Sequence, residues 1–137
     1  MRTRVYQNKE QIFCEWRHQW VRLTPEEWVR QQLLHRLVEQ FGFPASLIGV
    51  EVSIQVGETH KRCDAVIYNR ALQPLMLIEC KAEMVPLTQK TLDQALIYNL
   101  RLRVPYLILH NGVQTIVVKV SESGVERLAN LPSFPND

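Results

Sequence analysis

"LMLIECKAE", residues 75–83, decides the fold. A run of four apolar residues belongs in a core, yet this one ends by presenting Glu79 and Lys81, a carboxylate and an ammonium two positions apart. Side chains two apart on a strand share a face, so both charges project together at the strand's carboxyl end, with Leu75 and Leu77 behind them.

Working outward, "RCDAVIY" (62–68) reads as the preceding strand and "NRALQP" (69–74) as the turn between the two. Asp64 lies in the middle of that strand, where a lone carboxylate among apolar residues is costly unless it is paired or binds a cation. An antiparallel neighbour can bring it beside Glu79. Further upstream, "IGVEVSIQVGE" (48–58) alternates Val50, Val52, Ile54 and Val56 against Glu51, Ser53 and Gln55, the period of a half-buried strand. The three strands are expected to form an antiparallel meander.

A helix over about 25–41 is expected in "TPEEWVRQQLLHRLVEQFG" (24–42), with Thr24 as cap, Pro25 at the first helical position, Glu27 at the capping-box position and Gly42 after the last turn. Its apolar members Val29, Leu33, Leu34, Leu37, Val38 and Phe41 fall on one stripe, the face such a helix buries against a sheet. After Pro86, Thr88 can cap a second helix in "LTQKTLDQALIYNLRL" (87–102), with Leu92, Leu96 and Leu100 facing inward. "PYLILHNGVQTIVVKV" (105–120) then supplies two strands around an Asn-Gly turn. The strand at 75–82, the second helix and the strand at Tyr106 make a crossover, which places those two strands parallel. "IFCEWRHQWV" (12–21) alternates charged and aromatic residues and fits a short hairpin or an irregular strand equally well.

The order is α-β-β-β-α-β-β, an α/β (α+β) chain with a mixed sheet of about five strands flanked by helices. One domain is expected over residues 1–137, with its core at about 20–120 and a loosely held tail at 121–137. An apolar fraction of 46% and a charged fraction of 22% exclude a disordered, collagen-like or coiled-coil chain. No stretch approaches the about 18 apolar residues of a membrane span, and "MRTRVYQNKE" lacks the apolar core of a secretory signal, so a cytoplasmic location without membrane contact is expected. Three widely spaced cysteines suggest reduced thiols; His60, Cys63 and Cys80 have no recognised zinc spacing. A net charge of +2 is compatible with a polyanionic partner without pointing to one.

Asp64 and Glu79, a few ångströms apart, would repel and raise each other's pKa, a preference that a divalent cation reverses. Mg²⁺ takes oxygen ligands, keeps several waters, and typically uses one or two protein carboxylates plus substrate phosphates. Asp64 and Glu79 would supply that pair, joined by the backbone carbonyl of Cys80. Lys81 can orient or help deprotonate a water, or offset charge on a phosphorane-like transition state. On this motif alone, a solvated strand edge or a same-face ion pair explains the residues at least as well. Lys61 and Arg62 could hold a phosphate backbone, although solvated surface is the commoner fate of such residues.

Asp64 followed by "LIECKA" on consecutive strands after a Glu-bearing helix resembles the PD-(D/E)xK nuclease superfamily with its restriction-endonuclease-like fold. More closely, "LTPEEWVRQ", "FPASLIGVE", "KRCDAVIY", "LIECKA", "LTQKTLDQALIYN" and "VPYLILHNG" resemble, in order, the N-terminal nuclease domain of type I restriction enzyme R subunits. The likeness runs over about residues 20–118. It implies DNA cleavage in a restriction-modification setting, with Mg²⁺ or Mn²⁺ as cofactor, Asp64 and Glu79 as principal ligands and Lys81 as the catalytic lysine. Glu27 would be the helix carboxylate that joins the metal site, with Glu26 as its rival for that role. Gln94 and Tyr98 match the family's QxxxY pair and, at i and i+4 on one helix face, could reach a phosphate. Cys63 stands where the superfamily's eponymous proline would be. In that family the domain is fused to an ATP-driven translocase, and no P-loop pattern occurs here. A separate translocase or restriction-complex subunit is therefore an expected partner beside DNA, with a homo-oligomer also open. The competing expectation is a catalytically silent nuclease-fold module that binds nucleic acid or docks to a larger complex.

Overall fold

The N-terminal segment is a small antiparallel sheet, β1 (Thr3–Tyr6), β2 (Lys9–Cys14) and β3 (Gln19–Arg22), in the computed structural model, which describes residues 1–135. Gln7 and Asn8 turn the first hairpin with φ of 50° and 64°, the left-handed pair that a two-residue hairpin loop requires. Only β2 contributes fully buried side chains, Ile12 and Cys14 on its inner face. One buried face on one strand of three explains why the alternation in this stretch is ambiguous in the sequence.

Helix α1 (Pro25–Phe41) starts and stops where its caps dictate. Thr24 Oγ1 accepts from the Glu27 amide at 3.0 Å, and Gly42 takes φ 76° to close the last turn. The 3₁₀ turn Ala45–Leu47 leads into β4 (Ile48–Val56), β5 (Thr59–Tyr68) and β6 (Pro74–Cys80), an antiparallel meander. Helix α2 (Gln89–Leu102) then crosses to β7 (Tyr106–His110), which lies parallel to β6, and β8 (Thr115–Ser121) and β9 (Gly124–Leu128) follow antiparallel. The sheet order is β4-β5-β6-β7-β8-β9, a six-stranded mixed sheet with a core on each face. On one face Val29, Leu33, Leu34 and Leu37 of α1 pack against Ile67, Met76, Ile78 and Ile108. On the other, Ala95 of α2 packs with Leu77, Leu107, Leu109 and Val118. Among the described residues, no helix is long and apolar enough to cross a membrane.

Three details depart from the sequence expectation. Val50, Val52, Ile54 and Val56 do not share a face, because Glu51 takes φ 56° and flips the alternation. Val50 joins the α1-side core, whereas Val52, Ile54 and Val56 join the α2-side core. The paired strand changes sides at the same level: Cys63 lies in the α2-side core and Ala65 in the α1-side core, with Asp64 at the crossing.

Leu100 is 75% exposed rather than inward. Each four-residue step along a helix advances about 40°, so a Leu92-Leu96-Leu100 line drifts about 80° off the buried side. Ala95 and Asn99 occupy that side instead, and Asn99 clasps the helix end by donating to the Val104 carbonyl at 3.0 Å and accepting from the Val104 amide at 2.8 Å. Finally, the expected loose tail contains β9, and beyond it Phe134 is 8% exposed, its ring edge-on to Phe43 at 5.6 Å. Residues 136 and 137 of that tail lie outside the described residues.

Candidate active site

Register brings the two strand carboxylates together. Ala65 pairs with Ile78, and one further step along the antiparallel ladder sets Asp64 opposite Glu79. Asp64 Oδ2 accepts from the Cys80 amide at 2.7 Å, which pins it at the carboxyl end of β6, and Arg30 Nη1 stands 3.4 Å from Oδ1. Glu79 alternates with Met76, Ile78 and Cys80 and so faces the α2 side. Its Oε2 is 3.4 Å from the Lys61 ammonium, and its Oε1 is buried without a hydrogen-bond partner. Burial above all, and then the charge of Asp64, push the Glu79 carboxyl up to about 7, with Lys61 opposing.

Lys61 spans the sheet and α2. Burial lowers its pKa, but the charge and hydrogen bond of Glu79 outweigh that and the net shift is upward. Its ammonium also sits 5.3 Å from the ring centroid of Tyr98. Gln94, one turn before Tyr98, is exposed and makes no hydrogen bond among the described residues. Arg62 is exposed on β5 with Nη1 3.4 Å from Glu51 Oε2. Lys81 leaves the sheet with its amide donating to the His110 carbonyl at 2.9 Å, and its ammonium forms no ion pair among the described residues. The field of that ammonium instead reaches Glu26.

The two glutamates at the start of α1 divide sharply. Glu27, proposed from the family resemblance as the helix carboxylate, is buried among three donors: Arg17 Nη2 at 2.5 Å, Arg30 Nη2 at 2.8 Å and Gln31 Nε2 at 3.0 Å. Burial would raise its carboxyl, but these hydrogen bonds and the two guanidinium charges hold it below the usual range. Only half of a capping box forms, because the Glu27 carboxylate turns to the arginines instead of to the Thr24 amide. Glu26 is raised by burial and by the charge of Asp64, while Lys81 and Arg30 oppose. It is thus Glu26 whose carboxyl feels the charges of both Asp64 and Lys81. Arg30 links the two groups, since it touches Glu27 with one terminal nitrogen and Asp64 with the other.

Arg17 and Arg30 carry no motif and were missed by sequence reasoning. Arg17 comes from the turn after β2, and Arg30 is simply an i+3 partner of Glu27 on the helix. Among the described residues, no three His, Cys, Asp or Glu side chains form a group able to hold a metal ion. Asp64 and Glu79 with the Cys80 backbone are the oxygen donors available to a cation that keeps its own waters. An orphaned carboxylate oxygen on Glu79 fits that use. Cys63 and Cys80 lie in different cores, and burial drives both thiols up, Cys63 to about 11.

A family model described as Type I restriction enzyme R protein N terminus matches residues 25–135. A fragment of a candidate HsdR subunit of a type I restriction enzyme from Vibrio vulnificus YJ016 superposes with a TM-score of 0.60 at 17% identity, over 81% of this chain. This chain spans 24% of that one's length. A candidate nuclease belonging to DUF820 from Anabaena variabilis ATCC 29413 superposes with a TM-score of 0.52 at 9% identity, over 90% of this chain and 79% of the other. At such identities the likeness is one of fold. No curated protein matches the chain.

Proposed function

Since the chain belongs to the family of type I restriction enzyme R protein N termini, we propose that this nuclease-like domain hydrolyses phosphodiester bonds in DNA with Mg²⁺ or Mn²⁺ as cofactor. The observation that carries the proposal is Asp64 beside a buried Glu79 whose Oε1 has no partner and whose carboxyl is pushed up to about 7. Two such carboxylates are poorly matched to each other and well matched to a dication.

Asp64 and Glu79 would hold the metal. The Cys80 amide is directed to Asp64, and in extended backbone the carbonyl of the same residue is directed to the same side, which supports it as a further ligand. A bound dication supplies Lewis-acid polarisation of the phosphate and a water of lowered pKa. Lys81 would orient an attacking water, help take its proton, or offset charge on the phosphorane-like transition state. In such a hydrolysis the water oxygen would bond to phosphorus as the P–O ester bond breaks, the departing oxygen taking a proton from solvent. Glu26, whose carboxyl feels the charges of both Asp64 and Lys81, is the helix carboxylate that would support this step. Glu27 instead fixes Arg30 and, through it, the position of Asp64. Lys61 lies between Glu79 and the Tyr98 ring, where it can meet a substrate phosphate, and Gln94 on α2 and Arg62 on β5 add exposed polar groups.

The test is cleavage of linear and supercoiled DNA by the purified chain with Mg²⁺ or Mn²⁺. Asp64→Ala and Lys81→Ala should lose cutting, and cutting at the parental rate by both would refute the assignment. A catalytically silent module is the second reading, favoured by one observation: the Lys61 ammonium already offsets Glu79. A chain that binds DNA but takes up no metal would belong to that class. In either case a translocase or another restriction-complex subunit is the proposed partner.

A further inference from the structure

The β1–β3 sheet precedes the segment that matches the family, which starts at residue 25. Its charge is unlike that of the rest of the chain. Residues 1–22 carry five Lys or Arg against two acids, whereas the remaining residues carry eleven against twelve. The positive net charge of the chain thus resides in this sheet.

Strand register sorts these charges by face. Arg4 pairs with Gln11 and Gln11 with Arg22, while Tyr6 pairs with Lys9, so these side chains share one surface. Arg2, two residues before Arg4, joins them, as do Phe13 and its partner Trp20. Ile12 and Cys14 lie on the other face, buried, and Glu10 alternates to that side as well. The outward face therefore holds four cations, three aromatic rings and, among the described residues, no carboxylate. A merely solvated face would mix both signs. Protection of sheet edges asks for charge but not for rings set between the charges, here exposed Tyr6 and half-buried Phe13 and Trp20.

The cations are also organised. The Arg2 guanidinium lies 4.2 Å from the Phe13 ring centroid, and the Arg4 guanidinium lies 4.3 Å from that of Trp20 and 4.9 Å from that of Tyr6. Arg4 Nε donates to Gln11 Oε1 at 2.7 Å, which fixes the plane and leaves the terminal nitrogens to solvent. A guanidinium stacked on a ring keeps its N–H edges free for bidentate contact with phosphate and loses little freedom on binding. Arg17, in the turn after β2, pairs with Glu27 and Glu51, so the sheet is tied to the elements that carry the candidate active site.

We infer that the outward face of β1–β3 is a docking surface for the phosphate backbone of duplex DNA, with Arg2, Arg4, Lys9 and Arg22 as its contacts. The choice of DNA as the polyanion rests on the nuclease reading above; the face itself does not. The experiment is fluorescence anisotropy of a short labelled duplex with the full chain in EDTA, across a salt series. The Arg2→Ala/Arg4→Ala variant should bind at least about tenfold more weakly, with a salt slope flatter by about 2, since each phosphate contact contributes about 0.9. Arg2→Lys/Arg4→Lys should keep most of the slope, and Arg127→Ala on β9 should bind as the parent does. Thermal melts of each variant separate lost contacts from lost folding. Unchanged affinity and slope in the double alanine variant would overturn the inference, as would equal loss in Arg127→Ala or binding of a single strand in place of the duplex. If duplex binding depends on Arg2 and Arg4 yet no metal supports cleavage, the face stands and the nuclease reading falls. If the chain cuts DNA and the double variant binds unchanged, the face alone falls.

Discussion

Replacing Glu79 by Gln should make the metal-free protein more stable at neutral pH. The Glu79 side chain is 10% exposed, and its carboxyl is raised from 4.5 to about 7 by burial and by Asp64. An acid with a raised folded pKa binds its proton more tightly in the folded state. Stability is then fully present below pH 4.5, falls as pH rises toward 7, and is flat above. At about 1.4 kcal/mol per unit, the ionised form costs the fold up to about 3 kcal/mol at pH 8. Gln stays neutral at every pH and keeps the shape of the protonated acid. Urea unfolding in EDTA from pH 5 to 8, chosen to span that window, should show the parent losing stability while Glu79→Gln stays nearly level. The variant should be the more stable by about 1–3 kcal/mol at the upper end. A parent curve that is flat over this range, or a variant less stable than the parent at pH 8, would refute the reasoning.

Other substitutions separate carboxylates that hold the fold from those proposed to act in cleavage. Glu27→Gln breaks a buried pair with Arg17 and Arg30 and should cost about 3–5 kcal/mol in urea unfolding. Glu26→Gln should change stability by less than about 0.5 kcal/mol yet reduce DNA cleavage. Asn99→Ala removes both hydrogen bonds to Val104 at the end of α2 and should cost about 1–3 kcal/mol by thermal or urea unfolding. Leu100→Ser, on the exposed side of the same helix, should stay within about 0.5 kcal/mol of the parent.

Where the sequence carries strong local signals, structure follows it closely. Thr24, Pro25 and Gly42 bound α1, and the apolar run at 75–78 is the central strand β6, with β7 parallel to it. The strands around Asp64 and Glu79 are equally legible, because period-two alternation and an antiparallel turn leave few ways to pair them. What escaped has specific causes. Glu51 flips β4 with a left-handed backbone that no glycine advertises. β9 is almost wholly exposed, so "GVERL" shows no buried alternation to read. The first hairpin turns on Gln7-Asn8 rather than Asn-Gly.

Within the candidate site, strand spacing sets Asp64 and Glu79 on neighbouring strands, but it is the family resemblance that singles them out together with Lys81. Choosing between Glu26 and Glu27 was beyond local pattern. The family resemblance points to Glu27, and its claimant Arg17 lies in a segment whose pattern does not declare its structure. Neighbouring helix positions point about 100° apart, so a one-residue ambiguity decides which glutamate meets Asp64.

The most direct measurement of the central claim is calorimetric titration of Mn²⁺ into the DNA-free chain near pH 7, repeated in buffers of different ionisation enthalpy. The parent should bind the ion and release part of a proton, since the Glu79 carboxyl is pushed up to about 7, and Asp64→Asn and Glu79→Gln should bind far more weakly. Absence of binding by the parent, or equal binding by both variants, would contradict a cation site at the end of β6.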